Sequence, residues 1–397
     1  MTTRFKQTIL FGFFVLFGLI GWYTYSYFFD TATPHITVSG IEMDAYYAGD
    51  LQCSVATSKR GRMSVLLDGQ PLLHDFSISA HGNHPFTIPT RAIVNGQHML
   101  RVEFVDATYG KNRTAIDRLF YVDNQPLKAA LMRSDIDMQV FQGRTLHVQF
   151  QVNKDIREAK AHTLSQVYDC FAESKNSSMY ECFIPIACEE TPNEYLLSID
   201  VTDNVGNKVT LDTKFQIVLY PFKKQALNVS KEKVQESKAL GRSIAEREQV
   251  MQELAANSVP EKLWRGTFCT PVDVDRVSCE FGAIRTTQEK GRYMHKALDL
   301  LSAPKSVVWA TQSGVVACKE RFEDTGNTVI IDHGRGLLSL FCHLEDYADI
   351  KVGQKIALGN PLGTLGKTGY ATGYHLHWEM RMNNVAIDPM QWTKSTF

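Results

Sequence analysis

The first apolar segment of the chain contains no charged residue between Lys6 and Asp30. Phe, Leu and Ile dominate it, and a helix of about 20 apolar residues is long enough to cross the hydrocarbon core of a bilayer. Arg4 and Lys6 precede the segment, so the positive-inside rule predicts a cytoplasmic tail at residues 1–7 and a transmembrane anchor at residues 8–29. No small-residue cleavage site follows it, which favours an uncleaved anchor over a cleaved signal peptide.

Short segments of alternating apolar and polar residues come next, separated by turn signals such as the Asp-Gly pair at Asp68. Alternation with a period of two predicts half-buried strands. Residues 98–112 and 195–208 repeat one pattern, in which an alternating strand ends in an aspartate and a glycine turn leads to the next strand. The sequence therefore predicts two β-sandwich modules, at residues 35–125 and 126–221, which look like bacterial Ig-like modules.

The composition changes in residues 222–259, which are rich in Lys, Glu, Gln, Ser and Ala. Apolar residues recur there at helical spacing, which predicts an amphipathic helical linker that packs on the domain after it. Gly241 interrupts the pattern, and Ser243 with Glu246 has the spacing of a capping box that would restart the helix. The segment has too few heptads for a coiled coil.

Residues 260–397 form the last region, in which many short apolar strands are separated by glycine-containing turns. This pattern predicts an antiparallel, mostly β domain. The chain as a whole is therefore predicted to be mostly β, with an N-terminal transmembrane helix, two Ig-like sandwich modules, a helical linker and this C-terminal domain.

Histidines and an aspartate are the candidate chemical groups of the C-terminal domain. His375 and His377 are two residues apart in an aromatic and apolar segment. On a strand, both imidazoles would face one side, about 6.5 to 7 Å apart. His295 and Asp299 are four residues apart, and a fully extended strand would separate them by roughly 13 Å. We therefore predict a bend near Ala297 that brings the two side chains together.

Imidazole and carboxylate groups are common zinc ligands, and three protein ligands with a fourth position left for water are typical of a catalytic site. The domain offers more histidines than that set requires. The surplus histidines are candidates for taking a proton from a metal-activated water and for donating a hydrogen bond to a developing oxyanion. Leu376, between the two histidines of HLH, is predicted to point into the core.

The C-terminal motifs resemble those of the LytM/lysostaphin family of zinc metalloendopeptidases, which cut peptide bonds in bacterial peptidoglycan. The resemblance covers about residues 281–392 and rests on the motifs HKALD, FCHL and HLH. It implies a bound Zn²⁺ and two catalytic histidines. The zinc ligands that it implies are His295, Asp299 and His377, and the catalytic histidines are His343 and His375.

The sequence departs from that family at Ala297, where glycine is usual, and at Tyr374, where proline is common. Neither change removes a ligand, and Tyr374 is a candidate for the wall of the substrate groove. Glu379 shares the face of the HLH histidines, where it would either orient an imidazole or lie as a solvated carboxylate at the rim. His333 matches a turn position and receives no catalytic role, and Cys342 is predicted to be buried packing.

The charge and cysteine content narrow the function classes. The 397 residues include 42 Lys and Arg against 43 Asp and Glu, a balance that argues against nucleic-acid binding. Eight cysteines are present. They include two groups that are disulfide candidates in an oxidising compartment, with the pairing left open. These groups are Cys170 with Cys182 and Cys188, and Cys269 with Cys279.

The leading hypothesis is a single-pass protein of the bacterial inner membrane whose zinc endopeptidase domain faces the periplasm or another extracytoplasmic space. It would hydrolyse cross-links or stem peptides of peptidoglycan. One alternative is a non-catalytic domain that activates other cell-wall hydrolases, and another is a latent enzyme whose modules or linker cover the groove. The modules are taken as spacers, with substrate binding as the alternative. The predicted partners are peptidoglycan, the membrane and other cell-wall or division proteins.

Overall fold

The computed structural model describes residues 2–133, 138–226, 240–287 and 291–397. The chain forms two compact units. The first comprises Met1–Leu127 with Asp203–Asn207, and the second comprises Lys128–Thr202 with Lys208–Phe397. Most of the segment predicted as a helical linker before Gly241, residues 227–239, lies outside the described residues.

Helix α1 (Thr2–Phe28) begins the first unit. Its window Phe11–Phe28 is long and apolar enough to cross a membrane, and none of that window is buried inside the protein. Large side chains such as Phe14 and Trp22 are exposed along it. An apolar helix of this length is also compatible with a signal sequence, so the helix alone does not decide between anchor and leader.

The rest of the first unit is a sandwich of a three-stranded sheet, ordered β1-β3-β6, and a five-stranded sheet, ordered β2-β8-β7-β4-β5. Alternate residues of both sheets, including Val55 and Phe104, share one buried core, as the period-two pattern predicts. A 3₁₀ turn lies at Thr90–Ala92. The strands are β1 (Ile36–Ser39), β2 (Ala45–Tyr47), β3 (Leu51–Thr57), β4 (Gly61–Leu67), β5 (Gln70–Ile78), β6 (Asn83–Ile88), β7 (Gly96–Asp106) and β8 (Arg113–Val122).

The Asp68-Gly69 pair is a two-residue hairpin turn between β4 and β5, as predicted. Both residues have positive φ, 51° and 78°, which a type I′ turn requires and which aspartate and glycine tolerate. Asp106, the aspartate at the end of β7, accepts hydrogen bonds from Thr108 and Asn112 and so closes the next turn. The predicted strand and turn pattern is therefore confirmed in this module.

The second unit begins with another β module, whose eight strands form a continuous sheet ordered β10-β16-β15-β12-β13-β14-β11-β9. Strand β13 pairs with β12 at one end and with β14 at the other, so it carries the sheet around a corner. The strands are β9 (Ala129–Leu131), β10 (Gln139–Phe141), β11 (Thr145–Val152), β12 (Ile156–Thr163), β13 (Gln166–Ala172), β14 (Met179–Pro185), β15 (Glu194–Asp203) and β16 (Lys208–Val218).

The C-terminal domain of the second unit is built on a ten-stranded sheet whose main path is β18-β21-β28-β25-β24-β23-β26. A smaller sheet, ordered β17-β19-β20, lies beside it in the chain. The strands are β17 (Lys224–Ala226), β18 (Arg276–Cys279), β19 (Ile284–Thr287), β20 (Gly291–Met294), β21 (Leu298–Leu301), β22 (Val307–Trp309), β23 (Gly314–Phe322), β24 (Gly326–Asp332), β25 (Leu337–Tyr347), β26 (Lys355–Ile356), β27 (Pro361–Leu365), β28 (Leu376–Met382) and β29 (Val385–Ile387). The helices are α2 (Gly241–Ala256) and α3 (Pro389–Trp392).

The two parts of the second unit share one hydrophobic core. Phe183 of β14 contacts Trp264, Trp392 and Phe397 of the C-terminal domain, with ring centroids 5.6, 5.9 and 6.0 Å apart. Burial of one such aromatic side chain contributes about 1.5 to 3 kcal/mol. The module is therefore part of the structural support of the C-terminal domain.

The predicted capping box at Ser243 is wrong. Helix α2 begins at Gly241, and Leu240 precedes it without a side-chain cap. Ser243 is buried, and its Oγ instead donates to Asp324 Oδ1 and accepts from the Glu323 backbone N–H. The hydroxyl therefore fixes the helix to the C-terminal domain rather than capping it.

Candidate metal centre

The register of two neighbouring strands places the candidate ligands side by side. Strands β21 and β28 pair antiparallel with Asp299 opposite His377 and Leu300 opposite Leu376. Directly opposed residues on paired strands point to the same face of the sheet. Leu376 points to the other face and is fully buried in the core, as predicted.

The bend between His295 and Asp299 is confirmed. Strand β20 ends at Met294, β21 begins at Leu298, and the chain bends at Ala297. Ala297 is not among the residues with positive φ, so alanine is accommodated without strain where the related family usually has glycine. The bend brings His295 Nε2 to 3.2 Å from Asp299 Oδ1.

The Oδ1 atom of Asp299 is the point where the imidazoles converge. His295 Nε2 lies 3.2 Å from it, His377 Nδ1 lies 3.1 Å from it, and His375 Nε2 lies 3.9 Å from it. The other oxygen, Oδ2, accepts a hydrogen bond of 3.2 Å from Arg285. Burial alone would raise the pKa of Asp299, but its hydrogen bonds with His295 and His377 hold that pKa well below the ordinary value.

These separations suit a tetrahedral metal site. Ligand atoms that each lie 2.0 to 2.2 Å from zinc at the corners of a tetrahedron are about 3.3 to 3.6 Å from one another. The observed 3.1 and 3.2 Å between the carboxylate oxygen and the two imidazole nitrogens are close to that edge length. Two imidazoles and one carboxylate on adjacent strands therefore fit a divalent ion such as Zn²⁺.

His343 and His375 lie beside this triad. Their ring centroids are 4.7 Å apart, and His343 lies 5.9 Å from His377. His343 Nδ1 donates to the Thr368 carbonyl at 2.8 Å, and His375 Nδ1 donates to the Gly373 carbonyl at 2.9 Å. These contacts assign the proton to Nδ1 in both rings and leave each Nε2 with a lone pair.

His343 has an unusual backbone. Its φ of 61° lies in the left-handed region, which non-glycine residues adopt at a cost of about 1 to 3 kcal/mol, mostly at functional sites. Burial and the neighbouring rings of His377 and His375 lower the pKa of His343 to about 3. This imidazole is therefore neutral at physiological pH.

Glu379 is buried against His377, so of the two roles predicted for it the solvated rim carboxylate is wrong. Its Oε2 lies 3.6 Å from His377 Nε2, and only 4% of the residue is exposed. Burial would lower the pKa of His377, but contacts with Asp299 and Glu379 on opposite sides of the ring raise it to about 9. Such a carboxylate on the outer nitrogen of a ligand imidazole fixes its orientation.

Cys279 and Arg285 also lie at the site, and neither was predicted there. Cys279 of β18 is opposite Asp299 in the β18–β21 register. Its sulfur lies within 4.8 Å of ligand atoms of His295 and Asp299. Both missed residues belong to strands outside the three motifs, so only the strand register reveals them. All eight cysteines are free thiols.

Two further residues of the domain, His333 and Cys342, are fully buried, and burial was predicted for Cys342. His333 is fully buried and its two ring nitrogens contact the Ser313 carbonyl and Ser339 Oγ, each at 2.8 Å. Cys342 is also fully buried and packs in a cluster with Met251 of helix α2.

Residues 293–389 match the family model described as Peptidase family M23, which confirms the resemblance that the motifs indicated. The peptidoglycan DD-endopeptidase ShyC of Vibrio cholerae is 32% identical over 121 residues, which are 30% of this chain and 28% of that protein. The DD-carboxypeptidase/endopeptidase Mpg of Neisseria meningitidis is 30% identical over 120 residues, which are 30% of this chain and 27% of that protein. The match thus spans less than a third of either relative.

The structure also resembles the catalytic domain of lysostaphin from Staphylococcus simulans. The two are 25% identical, and the alignment covers 36% of this chain and 97% of that domain with a TM-score of 0.25.

Proposed function

We propose that the chain is a membrane-anchored zinc metallopeptidase that hydrolyses peptide bonds of bacterial peptidoglycan. The observation that carries this proposal is the convergence of His295 Nε2 and His377 Nδ1 on one oxygen of Asp299, with two further histidines beside it. His295, Asp299 and His377 would hold the metal. His343 and His375 would serve the reaction.

A divalent metal in this site would polarise the scissile carbonyl and lower the pKa of a water molecule. The residues supply the rest of the chemistry. His343 and His375 both hold the Nδ1 proton on a backbone carbonyl, so each Nε2 is able to accept a proton from the attacking water. Once protonated, the same nitrogen is able to donate to the developing oxyanion or to the leaving amine.

Arg285 and Glu379 would hold the ligands in place. Arg285 engages Asp299 Oδ2, which leaves Oδ1 directed at the imidazoles. Glu379 lies against His377 Nε2, so the Nδ1 atom of that ring is the one presented to the metal. Both contacts reduce the conformational freedom that the ligands would lose on binding the ion.

The substrate assignment rests on the relatives. ShyC is named a peptidoglycan DD-endopeptidase and Mpg a DD-carboxypeptidase/endopeptidase, and each aligns with about 120 residues of this chain. The apolar helix α1 would then act as a single-pass anchor of the inner membrane, with the peptidase domain on the extracytoplasmic side, where peptidoglycan is. A purely regulatory domain is not favoured, because all five ligand and catalytic positions are filled.

The test uses the full chain, purified in detergent, in three forms. Wild type should hold one equivalent of zinc and clear purified peptidoglycan in a gel, and a chelator should abolish the clearing. His377→Ala should lose metal and activity together. His343→Ala should keep its zinc and lose turnover by at least about a hundredfold, as expected for a group that transfers protons.

Three results would contradict the proposal. Wild type without zinc at one equivalent would exclude the metal centre. Clearing that survives chelation would also contradict it. A C-terminal domain that clears nothing even when the N-terminal modules are removed would favour a regulator of other hydrolases. Mass spectrometry of digested muropeptides would identify the bond that is cut.

A further inference from the structure

We infer that Glu248, Arg381 and Glu379 form a chain of contacts that positions His377, so that helix α2 is a working part of the metal site. Helix α2 lies outside residues 293–389, which match the peptidase family. The inference rests on the proposed function, because it concerns the orientation of a proposed metal ligand.

The first step is the alternation along β28. His377, Glu379 and Arg381 are two residues apart in a strand, so all three side chains point to one face of the sheet. Glu379 Oε2 lies 3.6 Å from His377 Nε2, and Glu379 Oε1 accepts a hydrogen bond from Arg381 Nε. The ligand histidine is thus in contact with one carboxylate, and that carboxylate is held by one guanidinium.

The second step is the pairing of that guanidinium with Glu248 of helix α2. Arg381 Nη1 donates to Glu248 Oε2 at 2.6 Å and Arg381 Nη2 donates to Glu248 Oε1 at 2.8 Å. A bidentate pair of this kind fixes the plane of the guanidinium as well as its position. The Arg381 side chain is only 6% exposed and the Glu248 side chain is 43% exposed, so the pair is buried on the arginine side.

The division of donors explains why Glu248 matters to His377. With both Nη atoms on Glu248, only Nε of Arg381 faces Glu379. Without Glu248, the buried guanidinium would keep Asn384, which accepts from Nη1 at 3.0 Å, and would be free to turn Nη2 toward Glu379, the other carboxylate that it contacts among the described residues. Glu379 would then move with Arg381, and His377 Nε2 would lose its fixed partner.

Helix α2 has a second anchor at Asp324, and Arg247 links it to this chain of contacts, because Arg247 Nη1 lies 3.1 Å from Glu248 Oε1. Arg247 Nε donates to Asp324 Oδ2 at 3.0 Å, and Ser243 Oγ contacts the same carboxylate. Met251 is buried against the domain. The helix thus stays docked through Asp324 and its apolar face. Ser243, whose Oγ contacts Asp324 and the Glu323 backbone N–H, is the docking residue that allows a test of docking without a change to Arg247 or Glu248.

The experiment compares full-length variants by three measurements: zinc affinity in competition with a chelator, the visible absorption spectrum of the cobalt-loaded protein, and thermal unfolding. We expect Glu248→Ala to weaken zinc binding by about tenfold and to change the cobalt spectrum, as replacement of an outer contact of a ligand histidine does. Glu248→Gln keeps one hydrogen-bond acceptor, so its zinc affinity should lie between those of wild type and Glu248→Ala.

Two variants serve as controls. Glu246 is on the same helix, exposed and paired only with Arg242 four residues earlier among the contacts described, so Glu246→Ala should leave all three measurements unchanged. Ser243→Ala weakens the docking of the helix without a change to Arg247, so it should lower the unfolding temperature and leave zinc affinity and the cobalt spectrum as in wild type.

Each outcome decides the inference. Equal zinc affinity in wild type and Glu248→Ala would overturn it, and so would equal losses of zinc affinity in Glu248→Ala and Ser243→Ala, since those would reflect docking alone. If Glu248→Ala does not fold, Glu248→Gln decides by the same criteria. A wild type that binds no zinc would instead refute the proposed function.

Discussion

At the scale of single residues, Cys279 is an alternative to His377 as the third metal ligand. Its sulfur lies within 4.8 Å of ligand atoms of His295 and Asp299. The two candidates lie on opposite sides of Asp299, one on β18 and one on β28. His377 Nδ1 is 3.1 Å from Asp299 Oδ1, and Glu379 contacts the other nitrogen of that ring. The Cys279 thiol instead donates to Gln225 Oε1 and to the Glu280 carbonyl.

We therefore predict that Cys279→Ser keeps one equivalent of zinc, while His377→Ala does not. Serine is close to cysteine in volume but is a much poorer zinc ligand, so the substitution isolates the role of the sulfur. Metal analysis of both purified variants is the measurement. Loss of zinc from Cys279→Ser with zinc retained in His377→Ala would reverse the ligand assignment.

His333 makes stability depend on pH. Complete burial lowers its pKa to about 4, against about 6.5 in an unfolded chain. Between these values the unfolded state binds the extra proton, so stability is fully present above pH 6.5 and falls as the pH drops toward 4. The contribution of this one group reaches about 3 kcal/mol.

The variant His333→Gln should lose less stability than wild type when the pH falls from 7 to 5, because glutamine does not titrate and its amide is able to donate and accept. Urea unfolding followed by tryptophan fluorescence at both pH values measures the difference. Equal losses in the two proteins would show that His333 does not carry this pH dependence.

At the scale of secondary structure, strand β14 connects the second sandwich module to the C-terminal domain. Its Glu181 is almost fully buried and its carboxylate oxygens contact His147 at 2.9 Å and Lys262 at 2.8 Å. Phe183, two residues on, packs against the C-terminal aromatic side chains. One face of one strand therefore supplies both the polar and the apolar contacts between the two parts.

We predict that Phe183→Ala destabilises the second unit by about 3 to 5 kcal/mol, the usual cost of emptying a buried phenylalanine site. Phe141→Ala is the matched control, because Phe141 belongs to the same module but is 39% exposed. Urea unfolding followed by tryptophan fluorescence reports on it, since Trp264, Trp309, Trp378 and Trp392 all lie in the C-terminal domain. A loss below about 1 kcal/mol would mean that the module does not support that domain.

The strands, the Asp68-Gly69 turn and the bend at Ala297 were predictable because each depends on neighbouring residues. Alternation sets the faces of a strand, and a separation of about 13 Å in an extended chain forces a bend if two ligands are to meet. The pairing of Arg381 with Glu248 was not predictable, since 133 residues separate them. For the same reason the sequence left two roles open for Glu379, an imidazole partner and a rim carboxylate.

The start of helix α2 was missed for a related reason. A serine three residues before a glutamate has the local spacing of a capping box, and within an isolated helix that interaction would be available to Ser243. In the folded protein the hydroxyl meets Asp324, a residue 81 positions away. Tertiary contacts with a buried carboxylate override a weak local preference.

At the scale of the whole molecule, the two compact units indicate where the chain can be shortened without loss of stability. Predicted region boundaries would place a natural cut near Pro260, before the peptidase domain. The contacts argue for a different cut, because Phe183 and Glu181 of the second module and Glu248 of helix α2 all lie before Pro260 and all contact the C-terminal domain. Glu189 of the module also pairs with Lys296, beside the proposed ligand His295, at 3.1 Å.

We therefore predict that a chain starting at Lys128 keeps the zinc affinity and unfolding free energy of the second unit, while one starting at Pro260 is less stable by roughly 5 kcal/mol or more. The shorter chain exposes the aromatic surface around Trp264 and Trp392, each such ring being worth about 1.5 to 3 kcal/mol, and it lacks Glu248. Urea unfolding and zinc titration of both chains measure the difference, and equal stability would show that the second module is dispensable.

The chain that starts at Lys128 also tests whether the full-length protein is latent, because it lacks residues 1–127 and keeps the contacts that support the proposed metal site. Higher activity than the full chain would show that the first unit restrains the enzyme, and equal activity would exclude that.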